Sequence, residues 1–181
     1  MKRAQKLLVG LLVLGVLAGA AGPARADAPG PYYATPSWDQ TLPSATRFIV
    51  LSNLGSAAVL DRETGLVWEK VPDGTNTYAW EDAQFHCNQL TTGNRMGWRL
   101  PTLQELASLL DPSVAPPGPT LPAGHPFSNV QSYFYWSATT YARATSNAWF
   151  AYLHGANVDP NDKTIPYYAW CVRGGHGVDP Q

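Results

Sequence analysis

The covalent chemistry open to this chain rests on two cysteines, Cys87 and Cys171, the only cysteines among its 181 residues. Two thiols can be oxidised to a disulfide, or one thiolate can act as a nucleophile beside a base. His86 directly precedes Cys87, but adjacent residues of a helix point in different directions and cannot form a nucleophile–base pair. We therefore predict a Cys87–Cys171 disulfide.

Acid–base chemistry has a second set of candidate residues. A hydrolase would need two carboxyl groups about 5–10 Å apart across a cleft. Glu69, Asp159 and Asp162 are the acids from which such a pair could be drawn. The sequence supplies no such geometry, so a carboxylate-based hydrolase is kept as an alternative function.

Metal chemistry is weakly indicated. The four histidines do not cluster at the spacing of metal ligands: they are His86, His125, His154 and His176. The stretch 157–162 is rich in oxygen ligands that could hold calcium, but Asn, Asp and Pro in succession are more typical of a turn. We interpret it as a turn and expect no metal and no other cofactor.

The first 26 residues have the pattern of a secretory signal peptide. A basic start (1–6) precedes an uncharged apolar run (7–22), and Ala24-Arg25-Ala26 forms a small-x-small cleavage site. Cleavage after Ala26 would leave no stable membrane span and an exported chain, located in the periplasm, at the cell surface or in the medium. Export also places the two cysteines in an oxidising environment, where a lone pair is expected to join.

The charge of the exported part is negative. Four of the 12 basic residues lie in the signal peptide, whereas all 13 acidic residues follow it, which leaves eight basic against thirteen acidic side chains. This balance argues against nucleic acid as a partner. Residues 27–181 suit a single domain.

The order of predicted elements indicates an α+β fold. We predict a Pro-rich linker or arm at 27–46, a folded domain at 47–174 and a short tail at 175–181. Strands are predicted at 47–51, 57–60, 66–69, 134–138, 148–153 and 168–172. Strands, then helices, then strands favour a mainly antiparallel sheet with two helices and long loops, one of which covers 112–129.

Two helices lie between the groups of strands. The first, at 80–90, has an apolar stripe at helical spacing: Trp80, Ala83, Cys87 and Leu90. The second begins at a capping box formed by Thr102 and Glu105 and carries leucines up to Leu110. We expect Arg99, just before that box, to fix the helix entry through Glu105. The tryptophans in stripe or strand positions are predicted to be core: Trp68, Trp80, Trp136 and Trp170.

Five motifs in series resemble a known family. They are Thr64-Gly65-Leu66-Val67-Trp68; Trp80-Glu81-Asp82-Ala83 with Cys87; Trp98-Arg99-Leu100-Pro101-Thr102 with Glu105; Tyr135-Trp136-Ser137-Ala138-Thr139; and Cys171-Val172-Arg173. Over residues 47–174 the series is similar to the bacterial Lcl C-terminal domain family, named after a collagen-like adhesin. The resemblance implies a C-type lectin-like fold and an exported, non-enzymatic domain, adhesive toward sulfated polysaccharide in some members. The Glu-Pro-Asn and Gln-Pro-Asp tripeptides with which sugar-binding lectins coordinate calcium are absent from the sequence.

The resemblance also directs attention to one surface. In lectin-like folds the ligand face is built from the long-loop region and the strands beside it. The candidate ligand surface here consists of Tyr141, Arg143, Asn147, Tyr152, His154 and Asn157. Aromatic rings beside amides and charges suit contact with a polysaccharide or an envelope protein. We expect an exported binding module; besides the hydrolase, a structural subunit of an envelope complex is an alternative.

Overall fold

Two antiparallel sheets organise residues 42–174, the part of the chain that the computed structural model describes. The five strands of the first sheet are β1 (Phe48–Val50), β2 (Ala58–Asp61), β3 (Val67–Glu69), β4 (Trp98–Arg99) and β8 (Val172–Arg173), in the order β1-β2-β3-β8-β4. The second sheet contains β5 (Phe134–Thr140), β6 (Asn147–Tyr152) and β7 (Asn157–Asp162) in chain order. The predicted mixed, mainly antiparallel architecture is confirmed. The predicted signal peptide and tail, and residues 27–41 of the predicted arm, lie outside the described residues.

Three helices accompany the sheets: α1 (Ser44–Arg47), α2 (Trp80–Gln89) and α3 (Leu103–Ala107). The last two are the predicted helices, although α3 is shorter than predicted. Its C-cap residue, Ser108, donates its hydroxyl to the carbonyl of Glu105 at 2.7 Å. The chain then tightens, because the backbone N–H of Leu109 bonds to Leu106 three residues earlier.

The helical turn α1 lies where the sequence predicts an arm. Its last residue, Arg47, is buried, and its guanidinium donates to both carboxylate oxygens of Asp61 at 3.0 and 2.8 Å. The same guanidinium donates to the carbonyl of Ser108 at 2.8 Å. These bonds hold α1 against β2 and the end of α3. Because they join residues far apart in the sequence, the local pattern of residues 44–47 does not predict them.

The strand β7 corrects the turn predicted at 157–162. All six of its residues pair with β6, from Asn147 opposite Asp162 to Tyr152 opposite Asn157. Pro160 is tolerated because β7 is the outer strand of its sheet, where one side of the backbone needs no ladder bonds. Pairing with a strongly apolar neighbour therefore overrides the local turn preference of the segment.

The last predicted strand is also revised. Only Val172 and Arg173 form a strand, while the preceding residues make single bridges: Tyr167 pairs with Tyr78 and Tyr168 with Tyr135. The segment 167–172 thus leaves the second sheet and enters the first. It therefore joins the two sheets, and its last residue belongs to β8 of the first.

Buried tryptophans fill the space between these elements. Trp68, Trp136 and Trp170 are fully buried, as predicted, and so is Trp98. Trp80 differs from the prediction, since it is only half-buried at the start of α2. The ammonium of Lys163 lies 3.9 Å from the centre of its ring, and its indole N–H donates to the carbonyl of Ser137 at 2.7 Å. An amphipathic ring in this position covers the core without being enclosed by it.

A disulfide joins Cys87 in α2 to Cys171 just before β8, as the sequence predicts, and both residues are fully buried. The bond links the helix to the segment that connects the two sheets.

The entry to α3 also has the predicted geometry. The backbone N–H of Glu105 donates to the hydroxyl of Thr102 at 3.3 Å, and the N–H of Thr102 donates to the Glu105 carboxylate at 2.8 Å. Arg99 completes the arrangement with two bonds to that carboxylate, at 2.7 and 2.6 Å. Arg99 therefore positions a helix start, as expected.

We predict that replacing both cysteines by alanine lowers the free energy of unfolding by about 2–5 kcal/mol, since the bond closes a long loop of the unfolded chain. Urea denaturation of the exported protein measures this loss. Peptide mapping without reductant should recover one cross-linked peptide. Free thiols at both positions in exported material would contradict the assignment.

We predict that Thr102→Ala costs about 1 kcal/mol, because one helical N–H loses its cap. Glu105→Ala should cost more, about 2 kcal/mol, because it removes the reciprocal bond and leaves the guanidinium of Arg99 without its carboxylate partner. The exposed neighbour Gln104 offers the matched control, and Gln104→Ala should change stability little. Equal urea midpoints for wild type and both variants would rule out the capping box.

Candidate functional site

The six residues of the candidate ligand surface lie at the two ends of β6. Tyr141 and Arg143 lie in the turn between β5 and β6, and Asn147 is the first residue of β6. Tyr152 ends β6, and His154 and Asn157 belong to the turn and strand that follow. Tyr152 is five positions after Asn147 along the strand, a distance of roughly 17 Å. The structure therefore divides the candidate surface into two groups.

The two groups also point to opposite faces of the sheet. Ala148, Phe150 and Tyr152 pack with one core cluster, whereas Ala151 belongs to the other. This alternation places Asn147 and Trp149 on the face opposite Tyr152. A small ligand cannot touch both groups at once.

The group at the end of β6 is an aromatic and amide cluster. The rings of Tyr152 and His154 are stacked, with centroids 5.3 Å apart and planes 14° apart. Asn157 lies directly opposite Tyr152 in the register and is exposed, while both rings are half-buried. Within residues 42–174, no hydrogen bond engages the Tyr152 hydroxyl or the Asn157 amide. The nearby Asn161 amide, in contrast, is held by the Tyr167 hydroxyl at 2.6 Å.

The turn between β6 and β7 is fixed by its buried residue, Leu153. The backbone N–H of Leu153 donates to the carbonyl of Tyr133 at 2.9 Å, and its carbonyl accepts the N–H and hydroxyl of Thr120 at 2.7 and 2.8 Å. Ala156 adopts the left-handed conformation that reverses the chain, with φ of 52°. These contacts hold Tyr152, His154 and Asn157 on a rigid support, which favours defined contacts with a ligand.

Two further aromatic residues adjoin this group, and sequence reasoning missed them. Phe134 is opposite Tyr152 in the register, with ring centroids 4.4 Å apart. Tyr133, just before β5, lies 4.5 Å from Phe134 and is 48% exposed. In the sequence, an aromatic residue just before a predicted strand could have indicated this part of the surface. Only the pairing of β5 with β6 shows that Tyr133 and Phe134 lie beside Tyr152.

The group at the other end of β6 is looser. The ring of Tyr141 packs edge-on against Trp149, with centroids 5.3 Å apart. Arg143 is exposed in a turn of small exposed residues. Asn147 is half-buried, and its side-chain oxygen accepts the hydroxyl of Ser146 at 3.1 Å. This group therefore offers a ligand one aromatic pair and one positive charge.

The acids considered for a hydrolase are not assembled into a pair of the kind that mechanism needs. Asp159 and Asp162 are three residues apart on β7, so they point to opposite faces of the strand. The carboxylate of Asp162 is held by the backbone N–H and hydroxyl of Thr164, at 2.9 and 2.6 Å, which lowers its pKa. Glu69 is enclosed in the other sheet.

Glu69 is a buried carboxyl group beside the disulfide. It accepts the N–H of Cys171 at 3.2 Å and the hydroxyl of Thr92 at 3.3 Å. Burial raises its pKa from an ordinary 4.5 to about 7, against the lowering effect of the Cys171 and Thr92 bonds, and the nearby charge of Asp73 raises it further. The site is too enclosed to admit a substrate.

A shallow groove of about 450 Å³ runs along the exposed side of α2. His86 lies in it, stacked on Tyr78 with ring centroids 4.6 Å apart, and burial lowers the pKa of His86. Its neighbour Cys87 is buried in the disulfide, so the two residues do point in different directions.

Two general properties follow from the described residues. Among residues 42–174, no cluster of three or more His, Cys, Asp or Glu side chains is arranged to hold a metal ion. The helices in the same range are too short or too polar to cross a membrane.

Comparison with known families identifies the domain. Residues 57–173, well over half of the chain, match the family described as the Lcl C-terminal domain. The chain belongs to the Lcl C-terminal domain family. No curated protein matches the chain significantly.

Membership in the Lcl C-terminal domain family makes this a surface- or adhesin-associated module rather than a member of a known enzyme family. With the Cys87–Cys171 disulfide, it indicates an exported protein that binds something external. The matched residues begin in the first sheet and end in β8, so they include both groups of the candidate surface.

For this Lcl C-terminal domain we predict that stability falls as the pH rises from about 4.5 to about 7. The native state keeps a proton on Glu69 in that window, while the unfolded state loses it, so the native state binds more protons. Glu69→Gln resembles the protonated acid and removes this dependence. At pH 8 the variant should be more stable than wild type by up to about 3 kcal/mol, and near pH 4.5 the two should be equal.

Urea denaturation of both proteins at several pH values tests this, and the difference between them cancels the titration of other groups. The matched control is Asp82→Asn, which changes an exposed acid on α2. A constant difference between Glu69→Gln and wild type from pH 4.5 to 8 would show that Glu69 titrates normally in the folded protein.

Proposed function

We propose that this domain is an exported, non-enzymatic binding module that recognises a polysaccharide or an envelope protein in the periplasm, at the cell surface or in the medium. Its contact surface is the group formed by Tyr152, His154 and Asn157. The observation that carries the proposal is the stacked, half-exposed pair of Tyr152 and His154 beside the exposed amide of Asn157. Recognition is by surface contact and involves no covalent chemistry.

The chemistry of these three residues favours binding. Tyrosine contributes a large contact area and loses little conformational freedom when a ligand binds. The Asn157 amide offers both donors and an acceptor, and the Tyr152 hydroxyl offers one of each. The rigid turn through Leu153 keeps the entropic cost of binding low.

The scaffold we infer is C-type lectin-like. A disulfide between a helix and the segment before the last strand supports this inference, as do two antiparallel sheets and a long irregular stretch between α3 and β5. That stretch supports the β6–β7 turn through the bonds from Thr120 to Leu153. The loop and strands thus build the proposed contact surface, while α2 and α3 carry buried residues.

The group at the other end of β6, which contains Tyr141, Arg143 and Asn147, is the second candidate for the contact surface. Arg143 could bind a carboxylate or sulfate with two bonds, and Tyr141 adds an aromatic ring. It ranks second because its only aromatic pair packs edge-on and its charged residue lies in a turn of small exposed residues.

The test is to screen the exported protein against a glycan array and an envelope-protein pull-down, then to measure the affinity of each captured ligand. We predict that His154→Ala and Asn157→Ala each weaken binding by roughly 1 kcal/mol or more, because each removes a contact at the centre of the surface. Melting temperatures should stay nearly unchanged, since neither side chain is buried.

Arg143→Ala and Tyr141→Ala are the matched controls at the other end of β6. If they weaken binding while His154→Ala and Asn157→Ala do not, the contact surface is the Tyr141 group. A ligand that all four variants bind normally would place the contact surface elsewhere on the domain.

A further inference from the structure

Four aromatic rings form a continuous row at the end of the second sheet where β5 begins and β6 ends. In order, Tyr133, Phe134, Tyr152 and His154 have successive ring centroids 4.5, 4.4 and 5.3 Å apart. The register explains the alignment, because Phe134 is paired with Tyr152 across β5 and β6. Tyr133 and His154 extend the row at each end. The row includes the contact surface proposed above and is longer than it.

The row is supported from below by the core. Phe134 also packs against Phe150 and Tyr167, each 4.9 Å away, so its ring is fixed at the base of the row. The ring of Tyr133 makes a T-shaped contact with Tyr168, with ring centroids 6.2 Å apart. A ligand therefore meets a preformed surface that loses little freedom on binding.

Polar groups line the row along β7. Asn157 pairs with Tyr152, and Asp159 pairs with Phe150, so both side chains share the face of the row. Both are exposed. The Asn157 amide donates and accepts hydrogen bonds, whereas the Asp159 carboxylate accepts them. A hydroxyl group of a ligand can donate to the Asp159 carboxylate and can donate to or accept from the Asn157 amide.

The charges on these elements disfavour an anionic ligand. The strands β5, β6 and β7 contain two aspartates and no lysine or arginine. The nearest lysine in the sequence, Lys163, is committed to the Trp80 ring and to the Thr140 hydroxyl at 3.0 Å. A sulfated or uronic polymer on this face would approach the Asp159 carboxylate without a compensating cation.

We propose that the row binds an extended, uncharged polysaccharide. This inference rests on the function proposed above and names the class of its ligand. The axial C–H groups of a pyranose carry slight positive charge and pack on the negative face of an aromatic ring. Several rings in series match successive sugars of a chain, while the equatorial hydroxyls reach Asn157 and Asp159.

Titration calorimetry with cellohexaose and chitohexaose, which are uncharged, and with dextran sulfate, which is anionic, tests the proposal. We expect both uncharged oligosaccharides, or one of them, to bind. Tyr133→Ala and His154→Ala should each raise the Kd about tenfold. Phe85→Ala is the control, because Phe85 is an exposed aromatic residue on α2, outside the row, and is 65% exposed against 48% for Tyr133. Binding should persist in about 1 M NaCl, where charges are screened beyond about 3 Å.

Near-UV circular dichroism of each variant separates loss of binding from loss of folding. Binding of dextran sulfate without binding of either uncharged hexaose overturns this proposal but leaves a binding module in place. Capture of an envelope protein by a domain that binds none of the three glycans has the same consequence. Equal binding of an uncharged hexaose by wild type, Tyr133→Ala and His154→Ala places the site elsewhere. A domain that binds no glycan and captures no envelope protein overturns both proposals.

Discussion

The segment 167–172 holds the two sheets together, and most of the structure depends on it. Tyr167 exchanges backbone hydrogen bonds with Tyr78 at 3.0 and 2.8 Å, and the carbonyl of Tyr168 accepts the N–H of Trp136 at 3.0 Å. Three residues later the backbone of Cys171 bonds to both the backbone N–H and the carboxylate of Glu69, and β8 enters between β3 and β4. The disulfide attaches α2 to the same point. Removing this segment would leave β4 without a partner and would remove the bridge between β5 and the first sheet.

Burying the carboxyl group of Glu69 costs folding free energy, and the hydrogen bonds at this connection offset that cost. A carboxyl group with a pKa near 7 is half ionised at neutral pH, and burying its charge is unfavourable. Yet Glu69 uses all of its polar groups at the junction: its backbone carbonyl accepts the indole N–H of Trp170 at 2.9 Å, and its carboxylate accepts the N–H of Cys171. A glutamine would keep these bonds, which is why the charge and the hydrogen bonds can be separated experimentally.

The sequence predicts features that depend on nearby residues. The stripe of α2 correctly places Ala83 and Cys87 in the core, and the Thr102–Glu105 box correctly starts α3. The features it misses depend on distant partners. The helical turn α1 requires the Arg47–Asp61 pair, and β7 requires β6, although its own residues favour a turn. The same holds for the candidate site: residue type selects Tyr152, His154 and Asn157, whereas only the register shows that Asn147 faces the other way and that Phe134 joins the row.

The outer position of β7 explains why recognition is expected on a face of the second sheet and not at its edge. An exposed edge strand can recruit another strand through its free backbone groups, unless charges or proline prevent it. The strand β7 carries both deterrents, Asp159 and Asp162 together with Pro160, which cannot donate a backbone hydrogen bond. Its edge is therefore a poor template for a peptide, whereas the face formed with β6 carries aromatic rings and the polar side chains of Asn157 and Asp159. The junction at Cys171 is held by backbone groups, the Glu69 carboxylate and the disulfide, so side chains of the β6–β7 turn can change without removing any of these bonds. A scaffold arranged this way can keep its fold while its ligand preference varies.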